Sequence, residues 1–389
     1  MRPLAIGLLL ASACAAQVIV DPARVGAVAK ALERQADEKP LRCEVTPIKP
    51  SLNFGFRFQA GYVVHVPMNQ YSGAGHGWAM LTRVTPEGGQ QPVYLFSRVR
   101  LPPIPKTKVD IEVGGGYLLG EGRYDVEWTL LDDTDRVCRS SWRVDARLDR
   151  HERQVNVAMP PHTVANFTLR GRQGRGRGAD DVAPVRLTVL LDAAPLVPFR
   201  TRLRASDRVI LLGLLSSLLE RVPARSVRLV IFNLEQQKTL LRQEAFAPDA
   251  LGRVAQSLNG VELGRVDYHV LQNPHGHVDF LAGLINQELR AETPSDVVVF
   301  LGPETRYGDK VPQAALEEPH GAIPQFFNLQ FKAYNRAAPS LPDSISLATA
   351  KLKGKTIVIR TPADFAKAIE QIERRGGGGT QSSSSSLNR

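Results

Sequence analysis

Val185-Arg-Leu-Thr-Val-Leu-Leu-Asp192 decides how the second half of the chain folds. A nearly continuous apolar run that ends in a carboxylate reads as a strand buried on both faces, as in a parallel sheet. Segments of the same kind alternate with helical text toward the C-terminus. The reading is helix 205–222, strand 227–232, helix 248–258, strand 266–271, helix 278–290, strand 296–301, a helix near 311–318, strand 326–333, strand 355–360 and helix 362–374. Strand and helix in turn predict a doubly wound, Rossmann-like α/β sheet over residues 184–375. The last helix carries clear start chemistry: Thr361 as N-cap, Pro362 at the first helical position and Asp364 three residues after the cap. Residues 376–389, glycine and then serine, have nothing to pack and are expected to be a disordered tail.

Upstream the pattern is different. Residues 41–148 break into short alternating runs, among them Gly61-Tyr-Val-Val-His-Val66, Lys108-Val-Asp-Ile-Glu-Val113 and Gly122-Arg-Tyr-Asp-Val-Glu-Trp-Thr-Leu130. Turn signals such as Gly114-Gly-Gly and Asp132-Asp-Thr-Asp135 separate them. Strands of that length and spacing predict an Ig-like antiparallel β-sandwich enclosing Trp128 and Trp142. The chain is therefore expected to be multidomain, a β-sandwich plus an α/β domain. A lead-in over residues 17–40 holds a short helix from Pro22 to Ala36, and residues 149–183 lose all periodicity. That last stretch contains Gly171-Arg-Gln-Gly-Arg-Gly-Arg-Gly178 and reads as a solvated linker, with an arginine-rich arm for polyanions as the alternative.

Residues 1–16 read as an export signal: Arg2, an apolar run from Leu4 to Leu10, then small residues that place Ala13 and Ala15 for cleavage after Ala15. Cys14 allows a second reading, as the acylated cysteine of a lipoprotein. A secreted or periplasmic location follows, and in such a compartment Cys43 and Cys138 are expected to form a structural disulfide. The longest apolar stretch, Val209 to Leu219, is too short to cross a bilayer. A net charge of +10 favours contact with an anionic envelope surface. Export argues against nucleic acid.

The end of the first buried strand, Leu190-Leu-Asp-Ala-Ala-Pro-Leu196, followed by a long helix, resembles the von Willebrand factor A (vWA) family, in particular its exported type found in acidobacteria. The strand Arg228 to Phe232 and the closing segment Lys353 to Ile369 extend the resemblance over residues 184–375. It implies a Mg²⁺ adhesion site built from D-x-S-x-S, a threonine from a second loop and an aspartate after the fourth strand. Here only Asp192 remains. Ala194 and Leu196 stand where the serines belong, and the fourth strand ends Leu301-Gly-Pro-Glu304. A hard cation that demands oxygen ligands has lost most of its donors, so a degenerate site without metal or other cofactor is expected.

A competing signal lies in Asn273-Pro-His275-Gly-His277-Val-Asp279-Phe280. Two imidazoles and a carboxylate at this spacing suit Zn²⁺ in a metallohydrolase or a non-catalytic metal site. Phe280 stands where such hydrolases carry a further histidine, so a polar, surface-exposed loop is the favoured reading. The sequence predicts a non-catalytic protein-binding or scaffolding function. Its contact surface would comprise Asp192, His275, His277, Asp279, Glu304 and Arg306. The partner is an unidentified protein.

Overall fold

The computed structural model describes residues 17–33, 39–73, 75–103, 107–167, 184–197, 200, 202–247, 250–261, 270, 272–273, 275–332 and 342–376. The export signal, the glycine-arginine run, most of the strand expected at 266–271 and the serine tail lie outside these residues. The chain divides into two compact units, one comprising Met1–Arg150 with Asn156–Thr168, the other His151–Val155 with Leu169–Arg389.

The first unit is built from two facing sheets. Strands β1 (Val18–Val20), β2 (Lys39–Pro40), β5 (Gly77–Pro86), β6 (Val93–Arg100), β8 (Gly122–Asp132) and β9 (Arg136–Ala146) form a sheet of order β1-β6-β5-β8-β9-β2. Strands β3 (Glu44–Leu52), β4 (Phe58–Pro67), β7 (Asp110–Leu119) and β10 (Val164–Asn166) form the other, of order β10-β7-β4-β3. Alternate residues of each strand point inward, and the two inner faces meet on aromatic rings. Tyr62 of β4 lies 5.5 Å from Trp128 of β8 and 6.0 Å from Trp142 of β9, centroid to centroid. Tyr62 also accepts a hydrogen bond from Thr82 of β5 at 3.3 Å.

Leu81, the neighbour of Thr82, faces the other way. It packs beneath Val25 and Val28, so helix α1 (Gly26–Glu33) closes a small second core on the outer face of the larger sheet. The lead-in thus includes a strand, β1, ahead of the expected helix, whose first turn, Pro22–Val25, is a tight 3-10 turn; residues 34–36 of the expected helix lie outside the described residues. The segment assigned to a linker also needs correction, because Val164–Asn166 pairs with Tyr117–Leu119 as an edge strand. Three residues are too few to leave an alternating pattern in the sequence. Cys43, just ahead of β3, is joined to Cys138 in β9, and the bridge links the two sheets.

The second unit contains one mixed sheet of order β13-β12-β11-β14-β15-β16. Its strands are β11 (Val185–Asp192), β12 (Ala224–Asn233), β13 (Lys238–Gln243), β14 (Val297–Pro303), β15 (Gln325–Phe331) and β16 (Lys355–Ile359). All neighbours are parallel except β12 and β13, which form an antiparallel hairpin. Helices α2 (Ala205–Arg221), α3 (Leu251–Asn259), α4 (Gly276–Leu289), α5 (Ser344–Lys351) and α6 (Pro362–Gly376) complete the described elements.

β11 is central, and seven of its eight residues, all but Arg186, are buried, as its apolar run requires. One face of the sheet, through Leu190, Val230, Val298 and Phe300, packs against Val278, Leu281 and Ile285 of α4 and Ile345 and Ala348 of α5. The alternate residues Val189, Leu191, Leu229, Ile231 and Val299 are equally buried. α6 starts as expected: Thr361 Oγ1 accepts the Asp364 amide at 3.1 Å, and Asp364 accepts the Thr361 amide at 2.9 Å. The helix expected near 311–318 is only a single tight turn, Gln313–Ala315. Pro312 and Pro319 bracket it, and the Glu317 amide is taken by the Asn286 side chain at 2.9 Å. β13 and α5 were not foreseen.

Candidate functional site at the carboxyl edge of the parallel sheet

In a doubly wound sheet the crevice for a ligand opens beyond the carboxyl ends of the strands, where successive crossovers leave in opposite directions. Here that point lies between β11 and β14. Asp192 ends the first strand and Gly302-Pro303 the second.

The crevice is closed by small residues. A Cβ on Gly302 would stand 2.8 Å from the Cβ of Asp192, so only glycine allows the two strand ends to approach so closely. The Ala193 amide donates to Phe232 O at 2.7 Å, and buried Asn233 donates to Ala193 O at 2.8 Å, which pins the chain after β11 to the end of β12. Asp192 itself is 2% exposed. Its Oδ1 receives only a long contact from the Leu234 amide, 3.5 Å, and its Oδ2 has no partner. Burial raises its pKa to about 8, the Leu234 amide opposes the rise, and the charges of Glu235 and Asp343 add to it. The carboxyl group is therefore mostly protonated at neutral pH.

Around Asp192 the loops are strapped together by polar contacts. Asp343 caps α5 through the Ser346 amide at 2.8 Å, and its second oxygen accepts the Thr305 amide at 2.8 Å and Gln330 Nε2 at 3.0 Å. The Ser344 amide donates to Tyr307 O at 2.9 Å. Lys332 reaches Glu304 at 3.3 Å, and Arg306 reaches Glu235 at 3.5 Å. The Arg306 guanidinium also lies over the Tyr307 ring, 5.1 Å from its centroid. His277 stacks on the same ring: its imidazole is 4.0 Å from the Tyr307 centroid at an interplanar angle of 17°. His277 Nε2 and Asp309 Oδ2 are 2.8 Å apart.

Two expectations are corrected by this geometry. Asp192 is not part of an exposed contact surface, because the close approach of Gly302 seals it into the sheet. The His275–Asp279 segment is not a surface loop, because α4 begins at Gly276. Residues two apart on a helix point roughly 200° away from each other. His277 therefore turns into the fold, where it is buried, while His275 and Asp279 are exposed. Asp279, in the first turn, complements the helix dipole. Of the six predicted surface residues, the structure brings His277 and Arg306 together on Tyr307, while Glu304 pairs with Lys332. The loop Gly302 to Tyr307 is part of the surface expected from the sequence; sequence reasoning missed Glu235, Asp309 and Asp343. Only Asp343 had a readable signal, Asp-x-x-Ser ahead of an apolar stretch.

The donor set does not suit a divalent cation. Ala194 and Leu196 offer no side-chain oxygen, both carboxylate oxygens of Asp343 are occupied by N–H donors, and Glu235 is paired with Arg306. Among the described residues, no three His, Cys, Asp or Glu side chains form a group able to hold a metal ion.

No protein-family model matches the chain, and no curated protein matches it. Among solved structures, a putative ApaA protein from Bordetella pertussis is similar at a TM-score of 0.20 and 12% identity, over 29% of this chain and 100% of that one. The superoxide reductase neelaredoxin from Archaeoglobus fulgidus reaches 0.19 and 13%, over 29% and 97%. A β-glucuronidase from Bacteroides uniformis reaches 0.20 and 12%, over 68% and 36%. Likenesses this slight carry no argument about fold or activity.

Proposed function

We propose that this chain is an exported, non-catalytic binding or scaffolding protein that recognises a protein partner through the carboxyl-edge loops of its second unit, without a bridging metal. The first unit is read as Ig-like and the second as vWA-like with a decayed adhesion site. The sheet order, which reverses between β11 and β14 and carries one antiparallel edge strand, supports the second reading. The Cys43–Cys138 bridge fits an oxidising compartment. No helix among the described residues is long and apolar enough to cross a membrane.

The observation that carries the proposal is the sealed Asp192. Asp192 is closed off by Gly302, and Ala194 and Leu196 beyond it carry no side-chain oxygen, so recognition falls to the side chains around it. Arg306, Asp309 and His275 are exposed at that edge and carry the polar chemistry an interface rim uses. The test is affinity capture from envelope extracts with the full chain, in magnesium and in EDTA, beside an Arg306→Glu variant. Partners retained in EDTA and weakened at least about tenfold by the charge reversal are expected. Partners released by EDTA, or indifferent to Arg306→Glu, would contradict the proposal.

A further inference from the structure

At the opposite, amino end of the second unit's sheet lies a cavity of about 520 Å³. Its lining includes Arg186, Arg228, Arg242, Glu244, Glu292 and Ser226. The apolar packing of α4 on the sheet ends here, and Glu288, on the last turn of the helix, takes its place. Glu288 is 0% exposed. It accepts Arg228 Nη1 at 2.7 Å, Arg242 Nη2 at 3.4 Å and Thr188 Oγ1 at 2.9 Å.

A buried carboxylate with these partners fixes both arginines. The Arg228 side chain is only 13% exposed, and Arg242 is held further by Gln287 Oε1 at 2.6 Å. Two guanidinium groups against one buried carboxylate leave a positive charge uncompensated. Glu244, the residue after β13, supplies the balance from outside. Its Oε2 accepts from Arg228 Nε and its Oε1 from Arg242 Nε, the latter at 2.7 Å. Yet the Glu244 side chain is 59% exposed, so its contribution is that of a solvent-screened pair. Arg186 stands beside this group, paired with Asp296 at 2.8 Å.

One carboxylate spanning two preset arginines is the arrangement by which proteins hold carboxylate, sulfate and phosphate groups. We propose that the cavity is a binding site for a single oxyanion, and that Glu244 occupies it when no ligand is bound. A ligand oxyanion would take the Glu244 position between Arg228 and Arg242 while Glu288 stays in place beneath them. Glu292 at the wall disfavours a continuous run of negative charge, so the site suits an isolated anionic group.

The test is calorimetric titration of the full chain with inorganic sulfate, inorganic phosphate and a sulfated tetrasaccharide at constant ionic strength, for the wild type, Glu244→Gln and Arg242→Gln. Glu244→Gln is expected to bind about tenfold more tightly than wild type, since two exposed ion pairs no longer compete, and Arg242→Gln to lose binding. Saturation by the inorganic anions identifies a free anion as the ligand, and binding of the tetrasaccharide alone identifies a polysaccharide group. Either result supports the site. Thermal melting of the wild type in a few millimolar sulfate against chloride at equal ionic strength, where general salting-out by sulfate is negligible, gives a reading that needs no variant, and selective stabilisation by sulfate is expected. No binding of any of the three probes, affinities unchanged by Glu244→Gln, or equal melting in both salts would overturn the proposal.

Discussion

Asp192→Asn is expected to stabilise the protein strongly at pH 8 and to leave it unchanged at pH 4. The Asp192 carboxyl titrates near 8 in the fold against an ordinary value of 3.8. Between those two values the native state holds a proton that the unfolded chain has released. Stability therefore falls as pH rises through that window, and is level below it and above it. A displacement of that size corresponds to on the order of 5 kcal/mol at the alkaline end. Asparagine is neutral at every pH and close in shape, so it removes the cost of ionising a sealed carboxyl group. Denaturant titrations of wild type and variant at pH 4, 6 and 8 give the difference directly, because all other titrating groups cancel. Parallel curves for the two proteins would mean that Asp192 is ionised in the fold and compensated by something other than its neighbours here.

The second large effect concerns the first unit. Replacing Cys43 and Cys138 by serine opens a loop with a sequence separation of 95. Chain-entropy arguments place the loss at roughly 4 kcal/mol, borne by the unfolded state gaining freedom. The structure adds a reason for the loss to be felt across the whole unit. The bridge joins the two sheets, whose inner faces are otherwise held by the contacts of Tyr62, Trp128 and Trp142. Comparison of the oxidised wild type with the double serine variant by urea denaturation, following tryptophan fluorescence, is expected to show earlier unfolding of this unit. All three tryptophans lie in it. An unchanged midpoint would show that the sheets hold together without the bridge.

The parts of the fold that were legible in the sequence are those where burial is uniform or capping chemistry is explicit. β11 announces itself because a strand covered on both faces needs apolar residues at every position. α6 does so because Thr361, Pro362 and Asp364 each satisfy a separate requirement of a helix start. β13 was missed for the converse reason: as an edge strand it buries little, and Lys238-Thr-Leu-Leu-Arg-Gln243 lacks a clear period.

The site was harder. Placing the start of α4 at residue 278 instead of Gly276 is a difference of two residues. It was enough to make His277 a loop residue on paper when its helical position buries it against Tyr307 and Asp309. Asp192 was recognised as the last surviving member of a metal-binding pattern. Its sealing depends on the approach of Gly302 from a strand more than a hundred residues away in sequence, which no local pattern records. The arginine cluster beneath the sheet was invisible for the same reason. Arg186, Arg228, Arg242 and Glu288 belong to four separate elements, and only the strand register brings them together.

The central claim is that recognition at the carboxyl edge proceeds without a cation, because the one carboxyl group left from a metal-binding pattern is sealed by Gly302 and the positions where the pattern carries serines are Ala194 and Leu196. Anomalous diffraction from crystals of the full chain soaked in manganese tests it most directly. No anomalous peak beside Asp192 is expected; an ordered ion coordinated by Asp192 Oδ2 would contradict the account.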